Sequence, residues 1–198
     1  MIDPTDFVAG ALSLDFINTV GGTRTGASDE KLGSYGDLLD WAVMGGAMSK
    51  EAAGRLASLA ERDPAGAARQ LAQAKSFREA LHAVFSALMK GEAVPKKAMD
   101  AVNSEIGRAL AHARLAPSNG HYAWSWDTGD VLDAPLWPVA RDAGDLLTEG
   151  PLQRLRECAS DTCGWLFLDT TKNRSRRWCD MKGCGNRDKV RRYRRKAG

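Results

Sequence analysis

The sequence predicts a mainly α-helical protein with small β elements, made of a helical N-terminal domain with a β-hairpin and a small C-terminal module. Apolar residues recur at helical spacing through most of the first 150 residues. Residues 1–150 hold 14 Lys and Arg against 20 Asp and Glu, whereas residues 151–198 hold 14 against 5. All four cysteines lie in this basic part. We therefore place the domain boundary between 1–150 and 151–198.

Cap signals and apolar stripes predict five helices in the N-terminal domain. Ser34 and Asp37 match a capping box, and Ser49 can cap the next helix. Asp63-Pro64 supplies a cap with a first-turn proline, and Gly91 is a typical C-terminal stop. The predicted segments are 36–44, 50–61, Pro64 to Gly91, Pro95 to Ala113 and Asp133 to Leu147.

Two other segments of this domain have strand character. The turn residues Ser118-Asn119-Gly120 precede His121–Trp126, where aromatic residues alternate with small or polar ones, and this pattern predicts a hairpin. Near the N-terminus, Leu12–Thr19 matches both strand and helix spacing. We interpret it as a short strand that runs into a helix.

The cysteines are separated by gaps of four, fifteen and four residues, and they are Cys158, Cys163, Cys179 and Cys184. In a chain without a secretory signal, this pattern favours thiolates that share one tetrahedral Zn²⁺, with two disulfides as the alternative. The 48-residue segment buries little apolar surface, and a metal can supply the missing stability. Four protein ligands leave no position for water or substrate. The predicted zinc, one per chain, is therefore structural.

The residues around the cysteines predict a treble-clef-like finger. Trp165–Leu168 forms a strand, Trp178 lies on its return strand, and a helix follows the last cysteine. Val190 and Tyr193 lie on one face of this helix, which we expect to pack inward. The Asn186 amide is expected to tie the start of the helix to the metal loop.

Basic residues are dense at the C-terminal end. Six of the eight residues 189–196 are Lys or Arg, and their mutual repulsion costs stability unless a polyanion neutralises it. On a helical wheel, Arg191, Arg192 and Arg195 point away from the expected inner face. We predict a nucleic-acid interface. Its predicted residues are Arg174, Arg176, Arg177, Arg187, Lys189, Arg191, Arg192, Arg194 and Arg195.

Two motifs carry a family resemblance. Cys184-Gly185-Asn186-Arg187, with the cysteine spacing and the basic tail, resembles the bacterial CGNR zinc-finger family. Leu14–Thr19 resembles the Leu-Asp-Phe-x-Asn-Thr motif of the ABATE domain, which precedes this finger in the same proteins. The resemblance implies a stress-related transcription regulator with a DNA-binding finger, whose four metal-binding cysteines correspond to the four of this chain. It also implies an N-terminal domain that senses or regulates.

Other functional classes have little support. The sequence has no phosphate-binding glycine loop, His-Glu-x-x-His motif or nucleophile elbow, so we do not expect an enzyme. No apolar run is long enough to span a membrane, and we expect a cytoplasmic protein. Duplex DNA is the predicted partner, and an RNA-binding protein or a protein-interaction adaptor is the alternative. RNA readers display stacking aromatics, whereas we expect those of the finger to fill its interior: Trp165, Phe167, Trp178 and Tyr193.

The polar residues of the N-terminal motif leave two interpretations open. Buried polar groups need hydrogen-bond partners. These residues therefore form either hydrogen bonds that cap or join helices, which we call the junction interpretation, or a pocket for a small-molecule effector. The residues of the predicted pocket are Asp15, Asn18, Thr19, Arg24 and Trp41. A homodimer on a two-fold symmetric operator is a further expectation.

Overall fold

The structure is a computed structural model that describes residues 2–22, 29–126 and 131–197. The predicted fold class is confirmed, because these residues are mainly helical with short antiparallel strand pairs. The helices are α1 (Leu12–Ile17), α2 (Tyr35–Met44), α3 (Lys50–Arg62), α4 (Pro64–Lys90), α5 (Lys96–His112), α6 (Trp137–Thr148) and α7 (Asn186–Ala197). The strands are β1 (Val20–Gly21), β2 (Asp29–Glu30), β3 (Ala113–Ser118), β4 (His121–Trp126), β5 (Leu155–Glu157) and β6 (Leu166–Leu168).

The predicted caps of the N-terminal helices are confirmed. The Ser34 hydroxyl accepts a hydrogen bond from the Asp37 N–H at 3.1 Å, and the Asp37 carboxylate accepts from the Ser34 N–H. Asp63 caps α4 through the Gly66 N–H at 2.8 Å. Gly91 ends α4 with φ 68°, a left-handed conformation that glycine adopts without steric cost.

The hairpin of β3 and β4 is also confirmed. Leu115 lies opposite Trp124, and the turn has positive φ at both Asn119 and Gly120, as a tight hairpin turn requires. The apolar stripe predicted that this helix would include Ala113, and this was wrong. Helix α5 ends at His112, and Ala113 is the first residue of β3.

The predicted order of strand and helix near the N-terminus was wrong. Residues Leu12–Ile17 form helix α1, and the short strand β1 comes after the helix instead of before it. Helix α1 is buried on almost all sides, where it packs against α4, α6 and β6. A helix buried all round has no polar face, so its apolar spacing does not distinguish it from a strand.

One hydrophobic core extends through both halves of the chain. The Phe16 ring of α1 lies 5.2 Å from the Trp41 ring and 6.1 Å from the Phe77 ring, measured between centroids. The same cluster continues to Leu166 and Phe167, which are fully buried in β6. None of the described helices is long and apolar enough to cross a bilayer.

Asp15 is a buried carboxyl in this core. It accepts a hydrogen bond from the Ala9 N–H at 2.9 Å, and the carboxylate of Asp142 lies close enough to repel it. Burial raises the pKa of Asp15 to about 7, although the backbone hydrogen bonds oppose the shift. The carboxyl therefore holds its proton more tightly in the folded chain than in the unfolded chain.

The variant Asp15→Asn tests this linkage. A raised folded-state pKa stabilises the protonated protein, so the free energy of unfolding of the parent should fall, relative to the variant, between about pH 4 and about pH 7. Below about pH 4 and above about pH 7, the difference in free energy of unfolding between the parent and the variant should not change with pH. Urea unfolding of both proteins across this range measures it, and a difference that does not change with pH would contradict the shifted pKa.

Candidate metal centre and nucleic-acid interface

The four cysteines form one buried cluster. Their sulfur atoms all lie within 4.8 Å of one another, and Cys179 Sγ lies 3.7 Å from Cys163 Sγ and 3.6 Å from Cys184 Sγ. Four sulfurs at about 2.3 Å from a tetrahedral zinc are about 3.8 Å apart, whereas disulfide-bonded sulfurs are about 2.05 Å apart. The geometry and the all-sulfur donor set fit one structural zinc and exclude the two disulfides.

Short local hydrogen bonds shape the two metal loops. The Cys158 N–H donates to the Trp165 carbonyl at 2.9 Å, and the Cys163 N–H donates to the Ser160 carbonyl at 2.9 Å. In the second loop, the Asp180 carboxylate accepts from the Gly183 N–H at 2.5 Å. These bonds direct all four sulfur atoms toward the same point.

The predicted pairing of β6 with Trp178 was wrong. Strand β6 pairs instead with β5, in a register that places Leu155 opposite Leu168 and Glu157 opposite Leu166. The chain near Trp178 contacts the first metal loop through a hydrogen bond from the Ala159 N–H to the Arg177 carbonyl at 2.8 Å, without forming a strand. Buried Leu155 of β5 lies opposite buried Leu168 of β6, and this apolar pair favours β5 as the partner.

The four thiols lie so close together that they can all ionise only if a cation neutralises their charge. Hydrogen bonds from Cys163 and Cys179 lower the pKa of Cys158, and the contacts with Cys158 raise the pKa of both neighbours. Negative charge on one of these sulfurs therefore disfavours ionisation of the sulfurs beside it. A divalent metal is needed to ionise all four sulfurs, which is the form that binds zinc.

The N-terminal domain holds β6 by direct hydrogen bonds, which we call the β6 clamp. The Asn18 side chain donates to the Leu166 carbonyl at 2.8 Å and accepts from the Leu166 N–H at 2.9 Å. The Leu168 N–H donates to the Ala9 carbonyl at 2.8 Å. One edge of β6 thus pairs with β5, and these residues of the N-terminal domain satisfy its other edge.

Arg176 has a structural role that its position in the basic segment does not reveal. Its guanidinium donates to the carbonyls of Val8 at 2.9 Å, Trp178 at 3.1 Å and Cys179. It also lies 4.4 Å from the centre of the Phe167 ring. The side chain therefore joins the N-terminal segment to the second metal loop.

Helix α7 is oriented opposite to the sequence-based expectation. Arg187 Nη2 donates to Cys184 Sγ at 3.0 Å, and Arg191 lies against Asp161 and Thr162 of the first metal loop. Val190 and Tyr193 are 50% and 75% exposed, so they do not fill the finger. The inner side of the helix faces negative sulfur and carboxylate groups, which attract guanidinium and not apolar side chains. As predicted, the Asn186 amide ties the helix to the metal loop, through the Lys182 carbonyl at 3.0 Å.

The other predicted interface residues lie at the surface of the finger. Exposed side chains in the described part of the chain form what we call the basic surface: Arg174, Arg177, Arg187, Lys189 and Arg194. Arg177 lies beside the Trp178 ring at 5.1 Å. The backbones of Arg192 and Arg195 belong to α7, but their side chains lie outside the described part of the structure.

The structure gives the residues of the predicted effector pocket internal partners. Besides Asp15 and Asn18, described above, Thr19 donates to the Phe16 carbonyl and accepts from buried Arg78, while Trp41 packs in the core. Arg24 lies outside the described residues. These internal partners agree with the junction interpretation, in which the polar residues bond to other parts of the protein, and not with an effector pocket.

Sequence reasoning missed a cavity that lies beside Cys163, Cys179 and Cys184, between the two halves of the chain. It has a volume of about 340 Å³, and Asp29 and Lys31 line one side while Trp165 and Asp180 line the other. The Trp165 indole N–H donates to the Val20 carbonyl at 2.9 Å. These residues come from three distant segments, and no motif in the sequence joins them.

Comparison with known families agrees with this architecture. The model of ABATE, whose description is "Putative stress-induced transcription regulator", matches residues 10–150. The chain belongs to the ABATE family. The CGNR zinc finger model matches residues 154–197 of this ABATE protein, and no curated protein matches the chain. The two models describe a regulatory zinc-binding protein.

Loss of one thiol should remove the metal from this ABATE protein. Cys179→Ser leaves three sulfurs and a poor hydroxyl ligand, so bound zinc should fall from about one per chain to near zero. Elemental analysis measures the zinc, and hydrogen exchange of residues 155–185 should show the loss of protection in the finger. Lys182→Ala, an exposed change in the same loop, should retain the metal. Full zinc content in the cysteine variant would contradict the site.

The β6 clamp can be tested through Asn18. Asn18→Ala leaves the Leu166 N–H and carbonyl buried without these partners, and it should lower the free energy of unfolding by about 2–4 kcal/mol. Asn103→Ala, an exposed change in α5, should cost less than about 0.5 kcal/mol. Urea unfolding of the zinc-loaded parent and of both variants measures these changes. If Asn18→Ala were as stable as Asn103→Ala, the Asn18 hydrogen bonds of the clamp would contribute nothing to stability.

Proposed function

We propose that this chain is a DNA-binding transcription regulator, in which a structural zinc folds the finger and exposed cations bind the phosphates of a DNA duplex. The observation that carries the proposal is the basic surface. Of its members, Lys189 and Arg194 on α7 and Arg174 and Arg177 before the second metal loop make no ion pair with the described residues. A phosphate backbone supplies the missing negative charges.

The energetics of α7 support a polyanionic partner. The helix has 12 residues, and its main packing partner is the metal loop 181–185 at its N-terminal end. An isolated helix of this length is marginal in water, and repulsion between like charges weakens it further. Binding to phosphates turns this repulsion into attraction, so the helix gains stability when duplex DNA is present.

The arrangement of the cations on a helix favours DNA over double-stranded RNA. The major groove of B-form DNA admits an α-helix, whereas the deep and narrow major groove of A-form RNA does not. Lys189 and Arg194 are five residues apart along α7, about one and a half helical turns, and both are exposed, so both can contact phosphates while the helix lies in the groove. Duplex DNA therefore matches this basic surface better than duplex RNA.

The exposed ring of Tyr193 supports a second candidate, binding to single-stranded RNA or DNA. Stacking of bases on exposed aromatic side chains is the main interaction of single-strand readers. Such readers usually present several aromatic residues along the path of the strand. Tyr193 is the aromatic residue of α7, so this candidate ranks below duplex DNA.

The N-terminal domain is proposed to regulate the finger. The β6 clamp and Arg176 connect it to the strand and the loop that hold the metal. An effector or a second copy of the chain that changes the N-terminal domain would act on the DNA-binding surface through these contacts. A cytoplasmic location, where thiols stay reduced, suits both the zinc site and access to DNA.

Removing two cations of the basic surface tests the proposal. Lys189→Gln with Arg194→Gln should weaken binding to a random DNA duplex, because two phosphate contacts are lost. With about six contacts, the parent should show a slope of log K against log salt of about −5, and the variant a slope smaller by about 2. Fluorescence anisotropy over a salt series, with zinc-loaded protein, measures both.

The matched control changes two exposed lysines of the acidic domain, Lys90→Gln and Lys97→Gln. It removes the same charge from the chain and should leave the slope unchanged. The same series with single-stranded DNA and with RNA separates the candidates. Duplex binding that is absent, or no tighter than binding to RNA, would contradict the proposal and favour the single-strand reader or an adaptor for acidic proteins.

A further inference from the structure

The outer face of α7 carries a strip of uncharged side chains. Asn186, Val190 and Tyr193 follow one another at spacings of four and three residues, so they share one side of the helix. Val190 and Tyr193 are 50% and 75% exposed. The exposed cations Lys189 and Arg194 flank this strip. Exposure of apolar side chains to water is unfavourable, so their position on the outer face of a basic helix suggests that a partner covers them.

The orientation of α7 is fixed at its first two turns. The bond between Arg187 Nη2 and Cys184 Sγ, at 3.0 Å, holds one side of the helix toward the metal cluster. The contacts of Arg191 with Asp161 at 3.7 Å and Thr162 at 3.3 Å hold the same side against the first metal loop. Since these arginines occupy the inner side, Val190 and Tyr193 must point outward.

The surroundings of the strip decide what can cover it. A second copy of the chain would bring its own Lys189 and Arg194 against those of the first, and like charges across an interface cost free energy. A nucleic-acid duplex instead offers phosphates on both sides of a groove whose floor consists of base edges. The pattern of cations beside an uncharged centre therefore matches a groove and not a second copy.

We propose that Val190 and Tyr193 contact base edges in the major groove and determine which DNA sequence the finger prefers. The Val190 side chain can make an apolar contact with a thymine methyl group, and the Tyr193 hydroxyl can exchange hydrogen bonds with base edges. The flanking cations bind phosphates and position the helix. This inference rests on the proposed binding to duplex DNA.

The test is a selection from a pool of random DNA duplexes with the zinc-loaded full-length protein. The parent should enrich particular sequences, and the variant Val190→Ala with Tyr193→Ala should lose about tenfold or more of the preference for those sequences over random duplex. Its binding to random duplex and its salt slope should stay close to those of the parent, because the phosphate contacts remain.

Two controls separate sequence reading from other effects. Leu115→Ala with Tyr122→Ala removes similar side chains that are 60% and 72% exposed on the hairpin of β3 and β4, and it should leave the preference unchanged. Arg194→Gln should weaken binding to all sequences about equally and reduce the salt slope by about 1. Zinc content and far-ultraviolet circular dichroism confirm that each variant is folded.

The outcomes distinguish this inference from the proposed function. If the parent binds random duplex with the expected salt slope but enriches no sequence, or if the double variant keeps the parent's preference, the inference is overturned and DNA binding stands. If sedimentation shows that the double variant changes the oligomeric state while its sequence preference is intact, the strip is an interface between copies and the inference is again overturned. If no duplex binds, both proposals fail.

Discussion

Four buried thiols that share one small volume set the structure of the C-terminal half. Sulfur atoms 3.6 and 3.7 Å apart are stable as thiolates only around a divalent cation. The same negative charge attracts the Arg187 guanidinium, which fixes the side of α7 that faces the metal. The positions of Lys189 and Arg194 in the basic surface and the exposure of Val190 and Tyr193 follow from this attraction.

The finger is part of a larger folded unit. Strand β6 lies between β5 and the Asn18 side chain, and its buried residues belong to the same core as Phe16 and Trp41. Arg176 adds a link from the second metal loop to the carbonyl of Val8. Hydrogen bonds and shared packing therefore connect the N-terminal half directly to the metal loops, and the proposed regulation would use these contacts.

Local signals in the sequence predicted local structure well. The capping residues Ser34 and Asp63 and the hairpin turn at Asn119-Gly120 act over a few residues, and the structure confirms each. The cysteine spacing also predicted the metal cluster correctly, but other features that depend on distant partners were predicted wrongly. Apolar spacing could not show that α1 is buried all round or that the Val190 and Tyr193 side chains of α7 would face solvent. The pairing of β6 with β5 joins residues that are buried in the common core, and the cysteine spacing does not reveal it.

The clamp on β6 limits how freely this finger can be exchanged between proteins. If residues 151–198 were fused to an unrelated domain, Leu166 and Phe167 would lose the apolar surface that covers them, and one edge of β6 would be open to pairing with other chains. Such a chimaera would tend to aggregate even with its zinc bound. The N-terminal motif that contains Asn18 therefore completes the fold of the finger as well as that of its own half of the chain.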